Sequence, residues 1–286
     1  MEMDKIISVS LQNIQYQYPL TQAAALRDVS FDFEEGKFYG VIGANGSGKT
    51  TICNLITGLI PDFYGGELRG EVLIQGKPIA EWDKRALCTK VGYIFQNPFT
   101  QISAIRDTVL EEIVIGLENL GLDKNEMLKR AEDVAKQIDV YDIIGKNPNE
   151  LSGGQRQRVA FASILAMDTD IYVIDEPTSQ LDPEGTENVF RIIASLKERK
   201  KTVILVEHKI EQIAKYADEV LAIHDGQIVR SGKTNEVLAD FNVLKQGITL
   251  PQSAILGQEM QRAGKSLEHI PVTMEDAYQL ILNRRQ

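Results

Sequence analysis

The sequence has very few cysteines and no long apolar run. Its only cysteines are Cys53 and Cys88, and they show neither metal-binding nor redox spacing, so we expect no disulfide framework and no cysteine-based metal site. The longest apolar runs, at 171–174 and 202–206, are strand-sized, whereas a membrane-spanning helix needs about 18 apolar residues. We therefore expect a chain that does not insert into a bilayer.

Basic charge is also scarce, because the formal net charge is -10 over 286 residues. Proteins that bind nucleic acid usually carry a basic footprint, and direct adhesion to anionic lipid needs a polybasic patch. We expect no nucleic-acid partner, and any membrane attachment must come through another protein. The opening MEMDKIISVS does not look like a secretion signal, which favours a cytosolic location.

Hydrophobic residues make up 43% of the chain, which is enough for a sizeable core. Apolar and polar residues alternate at 6–18 and 30–33, which predicts antiparallel strands with one wet face. An apolar run at 38–42 ends in a glycine-rich loop and then a helix that stops near residue 58. Further strands are predicted at 70–76 and 91–95.

The second half of the chain alternates between helix and buried strand. Residues 98–167 have helical periodicity, and apolar strands return at 171–174 and 202–206 with a helix at 184–198 between them. This order predicts an α/β fold with a parallel sheet. A hairpin is predicted at 220–230, and we interpret the helical, polar tail beyond residue 232 as a separate small unit.

The segment GANGSGKT, residues 43–50, is a phosphate-binding loop. Its three glycines let successive backbone N–H groups point inward around a triphosphate. Lys49 supplies a positive charge to the β- and γ-phosphates, and the Thr50 hydroxyl is placed to ligate Mg²⁺. The residues predicted to contact the phosphates are Gly43, Ala44, Asn45, Gly46, Ser47, Gly48, Lys49, Thr50 and Thr51.

Two adjacent acids end the apolar strand at 171–174. The carboxylate of Asp175 should emerge at the carboxyl edge of the sheet, where open α/β sheets bind ligands, and could hold Mg²⁺. Glu176 is then the best candidate to polarise an attacking water. The alternative is that both acids are only a solvated strand end.

The segment LSGGQ, residues 151–155 and called the signature segment below, allows two interpretations. Ser152 followed by Gln155 forms a capping box for the next helix. A simple cap, however, does not need the pair Gly153 and Gly154, which weakens the helix and exposes N–H groups at its positive end. The pair therefore predicts an anion-binding surface.

The signature segment followed by IYVIDEPTSQLD makes the chain resemble an ATP-binding cassette (ABC) ATPase. The resemblance implies the P-loop NTPase ABC ATPase fold, with a RecA-like parallel-sheet core, an antiparallel β-layer and a helical subdomain at about 97–167. It places the ATP-binding domain at 1–232 and a small helical extension at 233–286. It also implies ATP hydrolysis with Mg²⁺ as cofactor.

The same resemblance assigns roles to further residues. Gln96 corresponds to the glutamine that contacts Mg²⁺ and water, and His208 to the histidine that contacts the γ-phosphate, so that catalysis is expected from Glu176, His208, Gln96 and Lys49. Tyr18 corresponds to the aromatic that stacks on adenine, although core packing beside Tyr16 is an alternative. The signature segment would face ATP bound by a second ATPase subunit, the same or a homologous chain. Asp182 corresponds to the loop that communicates between the two nucleotide sites and is also expected to contribute to nucleotide binding.

Three shorter stretches, at 95–101, 111–122 and 206–213, resemble the energy-coupling factor (ECF) importer ATPases, which serve vitamin and cobalt or nickel uptake. This implies a peripheral position on the cytoplasmic face of the membrane, with a transmembrane coupling protein and a substrate-capturing membrane subunit as partners. The chain has Phe99 where that family often has an acid.

Two other classes of ABC protein are alternatives to the importer motor. One is the ATPase of a binding-protein-dependent importer. The other is a non-transport ABC protein of DNA repair or translation, which is disfavoured by the acidic balance and by the gap of about a hundred residues between phosphate loop and signature segment, too short for long coiled coils. No NKxD-like guanine reader follows the phosphate loop, which disfavours a switch-type GTPase.

Overall fold

The fold is taken from a computed structural model that describes residues 5–103, 105–179, 181–265 and 267–283. The first four residues of the N-terminal segment discussed above, and the side chain of Phe99, lie outside the described part. The strands are β1 (Ile7–Gln17), β2 (Leu26–Glu34), β3 (Phe38–Ile42), β4 (Glu67–Ile74), β5 (Lys77–Pro78), β6 (Val91–Ile94), β7 (Ile171–Asp175), β8 (Thr202–Val206), β9 (Glu219–His224) and β10 (Gln227–Lys233). The helices are α1 (Lys49–Ile56), α2 (Lys84–Lys90), α3 (Pro98–Gln101), α4 (Val109–Leu120), α5 (Lys124–Gln137), α6 (Gly153–Ala166), α7 (Pro183–Glu198), α8 (Ile210–Tyr216), α9 (Thr234–Leu238), α10 (Gln252–Arg262) and α11 (Met274–Asn283).

The larger sheet has the strand order β10-β9-β3-β8-β7-β6. The five strands from β9 to β6 are parallel to their neighbours, and β10 closes the edge as the antiparallel arm of a hairpin. Consequently β3, β8, β7 and β6 end side by side at one carboxyl edge. The loops that follow these four strands carry the predicted phosphate and catalytic residues.

The central strands are buried on both faces, and their side chains alternate between two apolar layers. Ile171 and Val173 of β7 pack in one layer, together with α1 and the smaller sheet. Tyr172 and Ile174 pack in the other, together with α4 to α7. This two-sided burial explains why β7 and β8 appear in the sequence as continuous apolar runs.

The smaller sheet is antiparallel, with the order β2-β1-β4-β5. Its inner face, represented by Val9, Leu11 and Ile14, packs in the same apolar layer as α1. The predicted β-layer is therefore confirmed. It also brings the end of β1, and with it Tyr18, close to the start of α1.

Helices α3 to α6 form the predicted helical region between β6 and β7. In α4, Val109, Ile113 and Leu117 are buried on one stripe, and a full capping box from Thr108 and Glu111 fixes the start of the helix. None of the described helices combines the length and the apolarity that crossing a bilayer would require.

The tail packs closely on the parallel sheet. Leu238, Val243 and Leu250 belong to the same apolar cluster as Leu205 in the middle of β8. The tail also forms one wall of a hollow beside the phosphate loop, where residues 247–249 lie opposite residues 42–45 and His208. The division at 232/233 stays a prediction, and β10 itself runs to Lys233.

Candidate active site

The phosphate loop joins the end of β3 to the start of α1. Lys49 is only 4% exposed, and its Nζ donates hydrogen bonds to the carbonyl oxygens of Gly43 and Ala44, both at 2.9 Å. Burial lowers the pKa of Lys49, while the nearby carboxylates of Glu176 and Asp175 act in the opposite direction. No side chain caps α1, so the helix presents its N–H groups and positive dipole end to the loop.

Two of the loop glycines are required by close packing. A Cβ on Gly43 would lie 2.2 Å from the carbonyl oxygen of Ile223 in β9. Gly48 has a φ of +111°, and a Cβ there would lie 2.9 Å from the carbonyl oxygen of Ala25. Larger residues at either position would displace the loop from the sheet, because both contacts are with backbone atoms.

Asp175 lies beneath the loop at the end of β7 and is 2% exposed. Burial raises the pKa of its carboxyl group, and a hydrogen bond with Thr50 opposes that rise. Its Oδ1 and the Oγ of Ser47 are buried without a hydrogen-bond partner among the described residues. An oxygen left unpaired in this way costs stability, so Oδ1 of Asp175 fits a hard cation held jointly with phosphate oxygens.

The described residues contain no cluster of three or more histidine, cysteine, aspartate or glutamate side chains that could hold a metal ion. Mg²⁺ in phosphate sites is bound through one or two protein oxygens together with the substrate's own oxygens and water. The sparse donor set of Asp175 and Thr50 fits that mode of binding.

Glu176 is held between two of the other predicted catalytic residues. Its Oε2 accepts a hydrogen bond from Nε2 of Gln96 at 2.6 Å, and its Oε1 lies 2.8 Å from Nε2 of His208. Its backbone has a φ of +44°, and its N–H donates to the carbonyl oxygen of Val206 in β8 at 2.9 Å. The turn thus directs the side chain away from β7 and towards the ends of β6 and β8.

A hollow of about 450 Å³, called the phosphate-loop hollow below, connects these groups. It is distinct from the hollow that the tail lines. Its walls include Tyr18, five residues of the phosphate loop and the predicted catalytic acid, Glu176. The lining residues are Tyr18, Ala25, Asn45, Gly46, Gly48, Lys49, Thr50, Thr51, Gln96 and Glu176. The chain itself thereby places an aromatic ring, a cation, amide donors and a carboxylate around one space.

The two tyrosines at the end of β1 have different surroundings. Tyr16 is buried, and its hydroxyl donates to the carbonyl oxygen of Gly65 at 2.7 Å. Tyr18 lines the hollow, and its hydroxyl oxygen lies 3.2 Å from Oγ1 of Thr51. The rings of Tyr16 and Tyr64 meet it edge to face, with centroids at 4.8 and 6.1 Å. Packing thus fixes the orientation of the Tyr18 ring.

The signature segment lines another hollow, of about 440 Å³, called the signature hollow below. It shares no lining residue with the phosphate-loop hollow. Both bonds of the predicted capping box are present between Ser152 and Gln155, at 3.0 and 3.4 Å. A Cβ on Gly153 or Gly154 would meet no atom within 4 Å. Asp182 caps α7 in the same hollow by accepting from the N–H of Gly185 at 2.7 Å.

Three polar residues near His208, namely Glu207, Lys209 and their partner Thr178, carry no sequence motif that singles them out. Glu207 is buried, and its Oε2 accepts a hydrogen bond from Oγ1 of Thr178 at 2.7 Å. The available signal was a charged residue directly after an apolar strand and directly before a candidate catalytic histidine. Its partner is 29 residues away in the sequence and could not be identified from spacing.

Comparison with known proteins agrees with this geometry. The sequence profile described as ABC transporter matches residues 26–179. The energy-coupling factor transporter ATP-binding protein EcfA1 of Mycoplasma mobile is 39% identical over 83% of this chain and 84% of its own length. The structure of cbiO1 from Clostridium perfringens, part of the ABC transporter complex cbiONQ, has a TM-score of 0.73 and 25% identity over 91% of this chain and 98% of its own.

A second structure shows a related cassette with products bound. The ATP-binding cassette MJ0796, a dimer in a post-hydrolysis state with ADP and Pi, has a TM-score of 0.70 and 30% identity over 79% of this chain and 98% of its own. The chain belongs to the ABC transporter family, as an ATP-binding subunit with the ABC ATPase fold. It is an ATPase, and its relatives include energy-coupling factor transporter ATP-binding proteins.

Proposed function

We propose that this chain is the ATP-hydrolysing motor of an ECF importer for a vitamin or a transition-metal ion. The observation that carries the catalytic part is the position of Glu176, which is fixed by Gln96 and His208 at the edge of the phosphate-loop hollow. The importer part is supported by the similarity to EcfA1 of M. mobile and to cbiO1, which belongs to an ABC transporter complex.

In the proposed reaction, Tyr18 stacks on adenine, while Lys49 and residues 43–51 hold the phosphates. Glu176 accepts a hydrogen bond from the attacking water and takes its proton as the water oxygen attacks the γ-phosphorus. The bond to the β–γ bridging oxygen breaks, and ADP and phosphate are the products. His208 and Gln96 contribute by orienting Glu176 and by contacting the γ-phosphate side of the site.

Mg²⁺ is proposed to be held by Thr50, Gln96 and Asp175 together with phosphate oxygens. Bound there, it neutralises phosphate charge. The unpaired Oδ1 of Asp175 supports this assignment, because a buried carboxylate oxygen without a donor is a costly feature unless something binds it.

We further propose that two ATPase subunits, identical or homologous, close head to tail on two ATP molecules. Support comes from the separation of the two hollows within one chain and from the dimeric, product-bound cassette MJ0796. Ser152, Gly153, Gly154, Gln155 and Asp182 then face the ATP of the other subunit. The pair works on the cytoplasmic face of the membrane beneath a transmembrane coupling protein and a substrate-capturing subunit.

The test is affinity purification of the full chain from detergent-solubilised membranes of its own cell, followed by ATPase assay and identification of what copurifies. The proposal expects an integral membrane coupling protein, a small membrane-embedded partner, and turnover that is lost in the Glu176→Gln complex. Recovery of an external binding protein's transporter would favour the second importer class. Turnover without any integral membrane companion would contradict the importer.

A further inference from the structure

Glu207 lies at the end of β8, next to His208, and is 3% exposed. Its Oε1 accepts hydrogen bonds from the backbone N–H groups of His208 and Lys209, at 2.8 and 3.2 Å. Its Oε2 accepts from the fully buried hydroxyl of Thr178 at 2.7 Å. One carboxylate therefore fixes the backbone that carries His208 and ties it to the segment after Glu176.

Lys209 makes a second connection between the same two segments. Its Nζ donates to the carbonyl oxygen of Thr178 at 3.3 Å and to Oγ1 of Thr186 in α7. The Thr186 hydroxyl in turn donates to the carbonyl oxygen of Asp182 at 2.9 Å. The polar network thus reaches from the backbone of His208 to that of Asp182.

These two ends belong to different hollows. His208 contacts Glu176, which lines the phosphate-loop hollow, whereas Asp182 lines the hollow of the signature segment. Thr178 lies between Glu176 and Asp182 in the sequence and is held by Glu207 through its hydroxyl and by Lys209 through its carbonyl oxygen. A shift of the His208 loop would break bonds that also position Asp182.

We propose that Glu207 and Lys209 are positioning residues that set His208 and Asp182 relative to one another, so that the histidine of one nucleotide site and the aspartate facing the other move as a unit. The proposal rests on the proposed function for the assignment of the second hollow to a partner's ATP. Neither residue lines the hollow that contains Lys49 and Glu176; Glu207 borders only the neighbouring hollow beside residues 42–45. Both are therefore proposed to act through the groups they hold.

Burying a carboxylate at the end of a strand costs free energy of desolvation, which its hydrogen bonds must offset. Leaving Glu207 without its Thr178 partner, in a place where water cannot replace the donor, removes a charge-assisted hydrogen bond and keeps its desolvation cost. The isosteric change Thr178→Val does this while preserving shape. Lys209→Met likewise removes both lysine bonds and keeps a long flexible stem.

The test measures steady-state ATP hydrolysis by the complex carrying Thr178→Val, Lys209→Met or both. Because a small misplacement of a catalytic group costs far more in rate than in binding, we expect kcat to fall about tenfold in either single variant, with KM for ATP changed less than about twofold. The double variant should fall little further, since both bonds belong to one network. Thr178→Ser should restore most of kcat.

Two matched controls separate positioning from simple destabilisation. Thr169 is also fully buried and donates its hydroxyl to a carbonyl, that of Ile171, at the far end of β7. Lys215 lies on the exposed side of α8 and pairs with Glu187. Thr169→Val and Lys215→Met should keep the original kcat. A kcat for Thr178→Val within twofold of the original, with a Tm loss equal to that of Thr169→Val, would overturn the proposal.

Amide hydrogen exchange in the nucleotide-free chain tests the same link without any need for turnover. Lys209→Met should accelerate exchange both at 206–210 and at 181–186, whereas Lys215→Met should change neither. Acceleration confined to 206–210 would refute the coupling even if the complex hydrolyses ATP normally. If the unaltered complex shows no ATPase activity, the proposed function fails while the exchange result still decides this inference.

Discussion

The phosphate-loop hollow and the signature hollow differ in which of their polar groups are satisfied. In the phosphate-loop hollow, Lys49 donates hydrogen bonds to loop carbonyl oxygens, and beneath the loop Asp175 has an unpaired buried oxygen. Burial shifts the pKa values of both side chains. In the signature hollow, Ser152 and Asp182 already cap helices, and the two glycines lie in open space.

This difference shows that the two surfaces are prepared for different tasks. The phosphate-loop side stores electrostatic cost that a bound, charged ligand can relieve, as expected of a primary binding site. The signature side presents N–H groups at a positive helix end, and its buried atom without a partner among the described residues is a donor, the Nε of Arg158, rather than a carboxylate oxygen. Damage to the first should therefore abolish binding or chemistry outright, and damage to the second should reduce turnover more mildly.

The largest expected effect is that of Glu176→Gln. Removing the carboxylate that contacts both Gln96 and His208 should lower kcat by about 10²- to 10⁴-fold, the usual contribution of a general base. The glutamine keeps the size of the side chain, so ATP binding should persist and the closed dimer should accumulate. Single-turnover assays and size-exclusion chromatography with ATP measure both; unimpaired hydrolysis would remove Glu176 from its assigned role.

Next in size is Lys49→Ala, which should weaken ATP binding by about 10- to 100-fold, because it removes charge-assisted hydrogen bonds to phosphate. Calorimetric titration of the variant with a nonhydrolysable ATP analogue gives the affinity directly. The exposed Lys124, at the start of α5, provides a charge-matched control, and Lys124→Ala should bind normally. Equal affinities for the two variants would contradict the phosphate-binding role.

A smaller effect is expected from Ser152→Ala, which tests the signature side. ATP binding to the separate chain should be unchanged, whereas turnover of the dimer should fall about tenfold, since one hydrogen-bonding group is lost. The change also removes a helix cap, worth about 1 kcal/mol of stability. Thr108→Ala removes the matching capping box from α4 and should cost similar stability with full turnover, so equal turnover in both variants would argue for capping alone.

The smallest effect is a pH-dependent change in stability. Burial raises the pKa of Asp175 above its unfolded value near 3.8, so the folded chain holds this proton more tightly and loses stability as pH rises through that window. Asp175→Asn should therefore raise the Tm of the nucleotide-free chain at pH 7 by roughly 2–4 °C, for a gain of about 1 kcal/mol. The gain should vanish below about pH 4.

Thermal unfolding with and without Mg²⁺ and a nonhydrolysable ATP analogue completes this last test. The unaltered chain should gain stability from Mg²⁺ in the presence of the nucleotide, whereas Asp175→Asn should gain much less. A variant that is less stable than the original without ligand at pH 7 would show that the Asp175 carboxylate is satisfied within the fold.

Much of the framework could be predicted from the sequence, because its signals are local. The run at 38–42 is β3 residue for residue, and β7 and β8 follow the apolar runs because strands buried on both faces lack alternation. The short helix α2 was missed, since its seven residues give too few turns for a periodic pattern, although Asp83 caps it through its side chain.

The site shows the same limit. The sequence predicted the residues gathered in the phosphate-loop hollow, because each follows a strand and parallel strands end at one edge. It left open whether Tyr18 packs with Tyr16, and only the three-dimensional structure separates a buried Tyr16 from a Tyr18 that lines the hollow. Glu207 was missed because its partner Thr178 lies on another strand's loop. The roles of all these residues stay predictions.

The left-handed backbone of Glu176 has a consequence for anyone who tries to improve this protein. Glycine or asparagine would occupy that conformation with less strain than glutamate, so a screen that rewards only resistance to heat should select against the acid at this position. The strained backbone directs the Glu176 carboxylate to a position that an extended strand end would not reach. A heat-resistant variant that has lost ATPase activity should therefore be checked for a substitution at position 176 before the loss is attributed to a more rigid fold.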